Sequence, residues 1–133
     1  MLALSDSQYM LSDMDRLKQI ETRIRGIKTE LTALGKLRPG SLSKQYNVCG
    51  KTGCRCKDPE KPKKHGPYHQ ISYSRKGKSS SAFVRPESLS EVKAQLATYK
   101  KLMKLVNLWI DLGLEHSRIK LKAARKKTGR GNP

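Results

Sequence analysis

A chain of 133 residues with 29 lysines and arginines against 11 aspartates and glutamates, a formal charge of +18, is one domain's length of polypeptide with a preference for polyanions. Only 35% of the residues are apolar and 5% aromatic, which excludes a large three-layer core. No window approaches 18 consecutive apolar residues, and Met1-Leu2-Ala3-Leu4-Ser5-Asp6 lacks a basic stretch followed by an apolar one. The expectation is a soluble, cytoplasmic protein.

The charge is unevenly spread. Residues 1–35 hold five basic and five acidic side chains, residues 36–90 hold 13 and 3, and residues 91–133 hold 11 and 3. The first segment is therefore not expected to bind anions. In it Leu17, Ile20, Ile24, Ile27, Leu31 and Leu34 recur with 3,4 spacing, the a and d positions of a heptad seam, which predicts a helix over 7–34. Gly35 and Pro39-Gly40 end it. Residues 40–67 read as a polar loop needing an external source of order. Tyr68–Ser74 and Ser79–Arg85 then flank Arg75-Lys76-Gly77-Lys78, predicting a β-hairpin over 68–85 with a basic tip. Its register stays open, since a simple turn pairs Ile71 with Ala82 and a bulge pairs Ile71 with Phe83.

Ser88-Leu89-Ser90-Glu91 has the form of a capping box and opens a second helix over 88–121. One apolar stripe runs through Val92, Leu96, Tyr99, Met103, Val106 and Ile110, and a second through Leu102, Leu105, Trp109 and Leu112. Such a wide face has room for the first helix and for something else, either the hairpin or a second chain. Residues 123–133 are basic and lack large apolar groups, so a disordered tail is expected after a single domain over 1–122. The fold class is α+β: two long antiparallel helices, a helical hairpin with coiled-coil character, carrying an inserted zinc knuckle and β-hairpin.

The chemistry concentrates in Cys49-Gly-Lys-Thr-Gly-Cys54-Arg-Cys56, followed by His65 before Gly66-Pro67. Three cysteines so close are unsuited to a disulfide framework. Three thiolates and an imidazole are a standard tetrahedral set for structural zinc, and four protein ligands leave no position for an activated water. Zn2+ is the expected cofactor, with Cys49, Cys54, Cys56 and His65 as ligands and His69 as the rival fourth. The bland alternative is three reduced thiols in a loop with a solvated histidine.

Gly40-Ser41-Leu42, Tyr46, Cys49-Gly50-Lys51, Cys54, Cys56, His65-Gly66-Pro67-Tyr68, Tyr73, Gly77 and Val84, followed by a charged helix, resemble a family of small prokaryotic proteins of unknown function. In it a GSL…Y…CGK…CxC…HGPY block precedes a hairpin and a long helix, and its members are often encoded near transposons and other mobile elements. The resemblance spans about residues 38–115. It implies His65 over His69 as ligand and a DNA-related role, and many relatives carry an aromatic where this chain has His69.

Basic residues cluster three times. Lys44, Lys51, Arg55, Lys57, Lys61, Lys63 and Lys64 surround the cysteine loop, Arg75, Lys76, Lys78 and Arg85 belong to the hairpin, and Arg125, Lys126, Lys127 and Arg130 fill the tail. Without compensating acid, such clusters point to nucleic acid. Single-strand binders use several aromatics as a stacking platform, and this chain has seven, of which Tyr99 and Trp109 are expected in the helix core. Duplex DNA is therefore favoured, with structured RNA as the alternative. Only six acids lie beyond residue 35, Asp58, Glu60, Glu87, Glu91, Asp111 and Glu115, in no arrangement suited to divalent metal catalysis. No enzyme is expected. The functional expectation is a zinc-stabilised accessory of a mobile-element or other nucleic-acid-processing complex, forming a homodimer or docking a protein partner through its helices. The rival is a coiled-coil adaptor for an acidic protein.

Overall fold

A computed structural model of the chain describes residues 2–128, with side chains described for residues 12–126. Helix α1 spans Leu2–Thr32, strand β1 Ser41–Asn47, strand β2 His65–Arg75, strand β3 Lys78–Val84 and helix α2 Leu89–Thr128. Short 3-10 turns lie at Arg55–Lys57 and Pro86–Ser88. The expected single domain divides into two compact units, one from α1 with the part of α2 beginning at Lys101, the other from Gly35–Lys100. The division follows the apolar residues, which collect into two separate cores.

In the sheet unit the strand order is β1-β2-β3, antiparallel throughout. The β2–β3 hairpin turns through Lys76 at φ 51 and Gly77 at φ 78. Positive φ at both central positions is the type I′ geometry that matches strand twist, and glycine takes the second position without strain. The simple register follows, with Ile71 opposite Ala82 and Phe83 opposite Gln70. Strand β1 corrects the expectation of a loop over 40–67: Leu42 pairs with Ile71 and Ser41 with Ser72, making β2 the central strand. Along the inner face Leu42, Ile71 and Val84 pack on Val92 and Leu96 of α2, and Ile71 is 1% exposed. The Arg38 guanidinium stands 5.7 Å from the Tyr73 ring centroid, and the Arg38 amide donates to the Gln95 carbonyl at 3.3 Å.

The helical unit buries Ile20 and Ile27 of α1 with Leu105 and Leu112 of α2, and Ile24, Leu31, Leu108, Trp109 and Ile119 pack around them. Arg16 donates to both Glu115 carboxylate oxygens at 2.5 and 2.8 Å, and Lys28 Nζ lies 5.3 Å from the Trp109 ring centroid. Of the expected α1 seam, Ile20, Ile24, Ile27 and Leu31 take part in this core. The stripes of α2 divide differently from the sequence reading, because this one helix serves both cores. Val92 and Leu96 cover the sheet, Leu105, Trp109 and Leu112 pack with α1, and Met103 and Ile110 of the expected first stripe are exposed.

Four boundaries also shift. Helix α1 begins at Leu2 and ends at Thr32. The entry to α2 is the 3-10 turn Pro86–Ser88, in which the Ser88 amide donates to the Arg85 carbonyl at 2.9 Å, and α2 itself begins at Leu89. Helix α2 runs on to Thr128, into the expected disordered tail. Ala123, Ala124, Arg125, Lys126 and Lys127 are strong helix formers, and the first glycine comes only at Gly129. The Arg130 of that tail and the side chain of Lys127 lie outside the described residues. Among the described residues no helix is long and apolar enough to cross a membrane.

Candidate metal centre

The four candidate ligands reach one place from three local structures. Cys49 follows the end of β1, Cys54 and Cys56 sit at the 3-10 turn Arg55–Lys57, and His65 is the first residue of β2, paired with Asn47. Backbone bonds from Lys57 to the Cys54 carbonyl (3.0 Å) and from Lys63 to the Arg55 carbonyl (2.9 Å) fold the polar loop back on itself. Asp58 Oδ1 accepts from the Glu60 amide at 3.0 Å, which makes Asp58-Pro59-Glu60 a turn, as its composition suggests. Gly66, at φ 134, lets β2 begin against β1: a Cβ there would meet the Gln45 carbonyl oxygen at 2.7 Å. The ladder is irregular between Gln45 and Asn47, opposite Pro67, which has no amide to give it.

The ligand atoms of Cys49, Cys54, Cys56 and His65 all lie within 4.8 Å of one another. Cys49 Sγ is 3.5 Å from Cys56 Sγ, and Cys54 Sγ is 3.2 Å from His65 Nε2. A tetrahedral zinc with Zn–S about 2.3 Å and Zn–N about 2.05 Å needs sulfurs about 3.8 Å apart and S···N of about 3.5 Å. The two close pairs are about 0.3 Å short of that geometry, and the four side chains are gathered closely enough to hold a metal ion. His69 is not part of it; it pairs with Lys44 and Val84 on the sheet.

Local dipoles treat the thiols unequally. The backbone amide of Cys56, with smaller contributions from the neighbouring thiols and His65, holds the Cys54 thiol down at about 6. Burial pushes the Cys56 thiol up. The Cys49 amide donates to Cys56 Sγ at 3.3 Å, the kind of hydrogen bond that orients a sulfur ligand and disperses its charge. A dication would compensate the ionised set, and Lys51, Arg55 and Lys57 stand exposed beside it.

Of the expected nucleic-acid contacts, Arg75, Lys76 and Lys78 are brought together at the hairpin tip, where Arg75 pairs with Lys78. Lys44, Lys51, Arg55, Lys57, Lys61, Lys63, Lys64 and Arg85 are exposed elsewhere on the sheet unit, while Arg125 and Lys126 belong to the helical unit. Sequence reasoning missed three exposed rings, Tyr46, Tyr68 and Phe83; the face on which Phe83 stands follows from the hairpin register, which the sequence leaves open.

A family model described as the domain of unknown function DUF6788 matches residues 17–94. The match takes in α1 from Leu17, all three strands, the candidate metal centre and the start of α2, and covers more than half of the chain. No curated protein and no solved structure matches the chain.

Proposed function

The chain belongs to that family of domains of unknown function, and we propose that it is a zinc-stabilised, non-catalytic nucleic-acid-binding protein. The observation that supports this most strongly is electrostatic. No carboxylate stands on any of the three strands, while Lys44, Arg75, Lys76 and Lys78 stand exposed on the strands and their turn. More bases ring the metal loop. Neutralising several phosphates at once releases counterions, a driving force that such a surface supplies and that simple solubility does not require. Zinc in the Cys49, Cys54, Cys56 and His65 site would hold the loop in shape, and with four protein ligands it would act structurally.

In this reading the protein is a cytoplasmic accessory of a mobile-element or other nucleic-acid-processing complex. Its two long helices would form an antiparallel hairpin with a coiled-coil seam. Met103, Ile110, Leu114 and Leu121 of α2 are exposed, which supports self-association or a protein partner along that helix. The test is binding of the zinc-loaded chain to labelled duplex DNA, duplex RNA and single strands across a salt series. Affinity falling steeply and linearly in log–log form is expected. Tight binding to an acidic polypeptide with no nucleic acid bound at low salt would support the adaptor reading instead and overturn this one.

A further inference from the structure

Strand register sorts the sheet's side chains onto two faces. Leu42, Ile71 and Val84 point to α2, so the alternate positions form the opposite, helix-free face. That face carries Tyr68 on β2 and Phe83 on β3, 44% and 67% exposed. Phe83 is opposite Gln70, two residues from Tyr68, which makes the two rings diagonal neighbours roughly 7 Å apart at their backbones. Around them the face is uncharged. Gln45 and Gln70 lie beside the rings, and Ser41, Ser72 and Ser81 form a row across all three strands. Ser74 and Ser79 hydroxyls meet at 2.9 Å, and Ser43 accepts from Gln45 Nε2 at 3.2 Å.

Two exposed rings on a face with no acid have a specific complement. The rings offer apolar planes, the amides and hydroxyls offer donors and acceptors, and Lys76 in the turn and Arg85 just past β3 supply positive charge at its ends, whereas Lys44, Arg75 and Lys78 share the strand parity of Leu42, Ile71 and Val84. Bases inside a duplex are already stacked and cannot present their planes, so a ring platform selects unpaired bases. Ribose adds a 2′-hydroxyl that both donates and accepts, a partner for serine that deoxyribose lacks. Resting on the nucleic-acid reading and naming its polymer, we propose that the helix-free face binds single-stranded RNA. Tyr68 and Phe83 each stack on an unpaired base, Gln45, Gln70 and the serine row take base edges and ribose hydroxyls, and Lys76 and Arg85 hold the phosphates. This reverses the expectation of duplex DNA, which rested on too few aromatics being available.

The test uses the zinc-loaded full chain and fluorescein-labelled 12-nucleotide RNA of mixed sequence, the matching DNA, and the duplex of each, read by anisotropy. Tyr68→Ala and Phe83→Ala are made separately and together, with Phe83→Trp as the variant that keeps a ring. Both rings are exposed, and unchanged zinc content and circular dichroism confirm folding. Each alanine should weaken single-stranded RNA binding by about fivefold or more with the salt slope unchanged. Phe83→Trp should retain affinity, whereas Lys76→Gln with Arg85→Gln should lower the salt slope. Tighter binding of either duplex, equal binding of single-stranded DNA, or alanine variants that bind like the parent would overturn the proposal while leaving nucleic-acid binding intact. Absence of binding to all four probes at low salt would instead sink the broader reading with it.

Discussion

Replacing Ile71 with alanine should make the fold of the sheet unit depend on metal. Ile71 is 1% exposed and sits among Val92, Leu96, Leu42 and Val84, the whole of that unit's apolar core. The change removes three carbon atoms, about 2.4 kcal/mol at about 0.8 kcal/mol each, and a cavity that cannot fully collapse raises this to about 3–4 kcal/mol. A unit spanning Gly35–Lys100 has about 3–10 kcal/mol of stability at typical per-residue values. The loss is therefore comparable to the whole. Zinc present at about a thousand times its dissociation constant restores about 4 kcal/mol by mass action, if it binds only the folded form. The expected result is that Ile71→Ala keeps its strands when zinc-loaded and loses them under chelator, while Ile71→Val, costing about 0.5–1.5 kcal/mol, survives both. Hydrogen exchange over residues 41–47 and 65–84 reads this directly, with α1 amides of residues 16–31 as the internal reference. Equal strand protection with and without metal in Ile71→Ala, whether full or lost, would refute the coupling of metal centre to core.

Elemental analysis of protein purified without chelator should give about one zinc per chain, with His65→Ala lowering that figure and His69→Ala leaving it unchanged. In metal-free protein Cys54, held at about 6, should be alkylated fastest and lose reactivity as pH falls through that value, while buried Cys56, pushed up, stays unreactive at neutral pH. The same depression makes Cys54 a stabilising group whose contribution is full above its ordinary value near 9 and is lost as pH falls towards 6, so Cys54→Ser should flatten that part of a melting profile. Leu105→Glu places a charge in the buried α1–α2 core and should abolish the cooperative melting of the helical unit. Ile110→Glu with Leu114→Glu, at positions 53% and 54% exposed, should leave it folded and lower the light-scattering mass if the chain self-associates through α2; an unchanged monomer mass before and after would exclude that interface.

Both helices, the hairpin and the cysteine–histidine cluster were legible in the sequence because each leaves a strong local mark: apolar residues at helical spacing, a Lys-Gly turn between alternating runs, thiols and an imidazole at short spacing. Strand β1 was not. Only Leu42 of Ser41–Asn47 packs into the core, so its period-two signal is one residue deep, and the strand exists because β2 offers it a ladder. The pairing of Phe83 with Tyr68 on one face was hidden by the open register. In the bulged alternative Phe83 would stand opposite Ile71 on the core side, and a one-residue slip moves every side chain of β3 to the other face. The apportioning of α2 between two cores was equally invisible, since periodicity records that a helix has buried faces and not what buries them.

The position of His65 at the head of β2 bears on the order in which the chain assembles. Strands β2 and β3 are joined by two residues and can zip within microseconds. Strand β1 must come back across the long polar connection of residues 48–64, where a hairpin commonly uses two to five. An ion gripped by Cys49 and His65 would fasten both ends of that connection at once, so the chain would search as though it were short. The metal would then act as a clasp on a late step: the hairpin forms without it, and the third strand is added at a rate that rises with metal concentration.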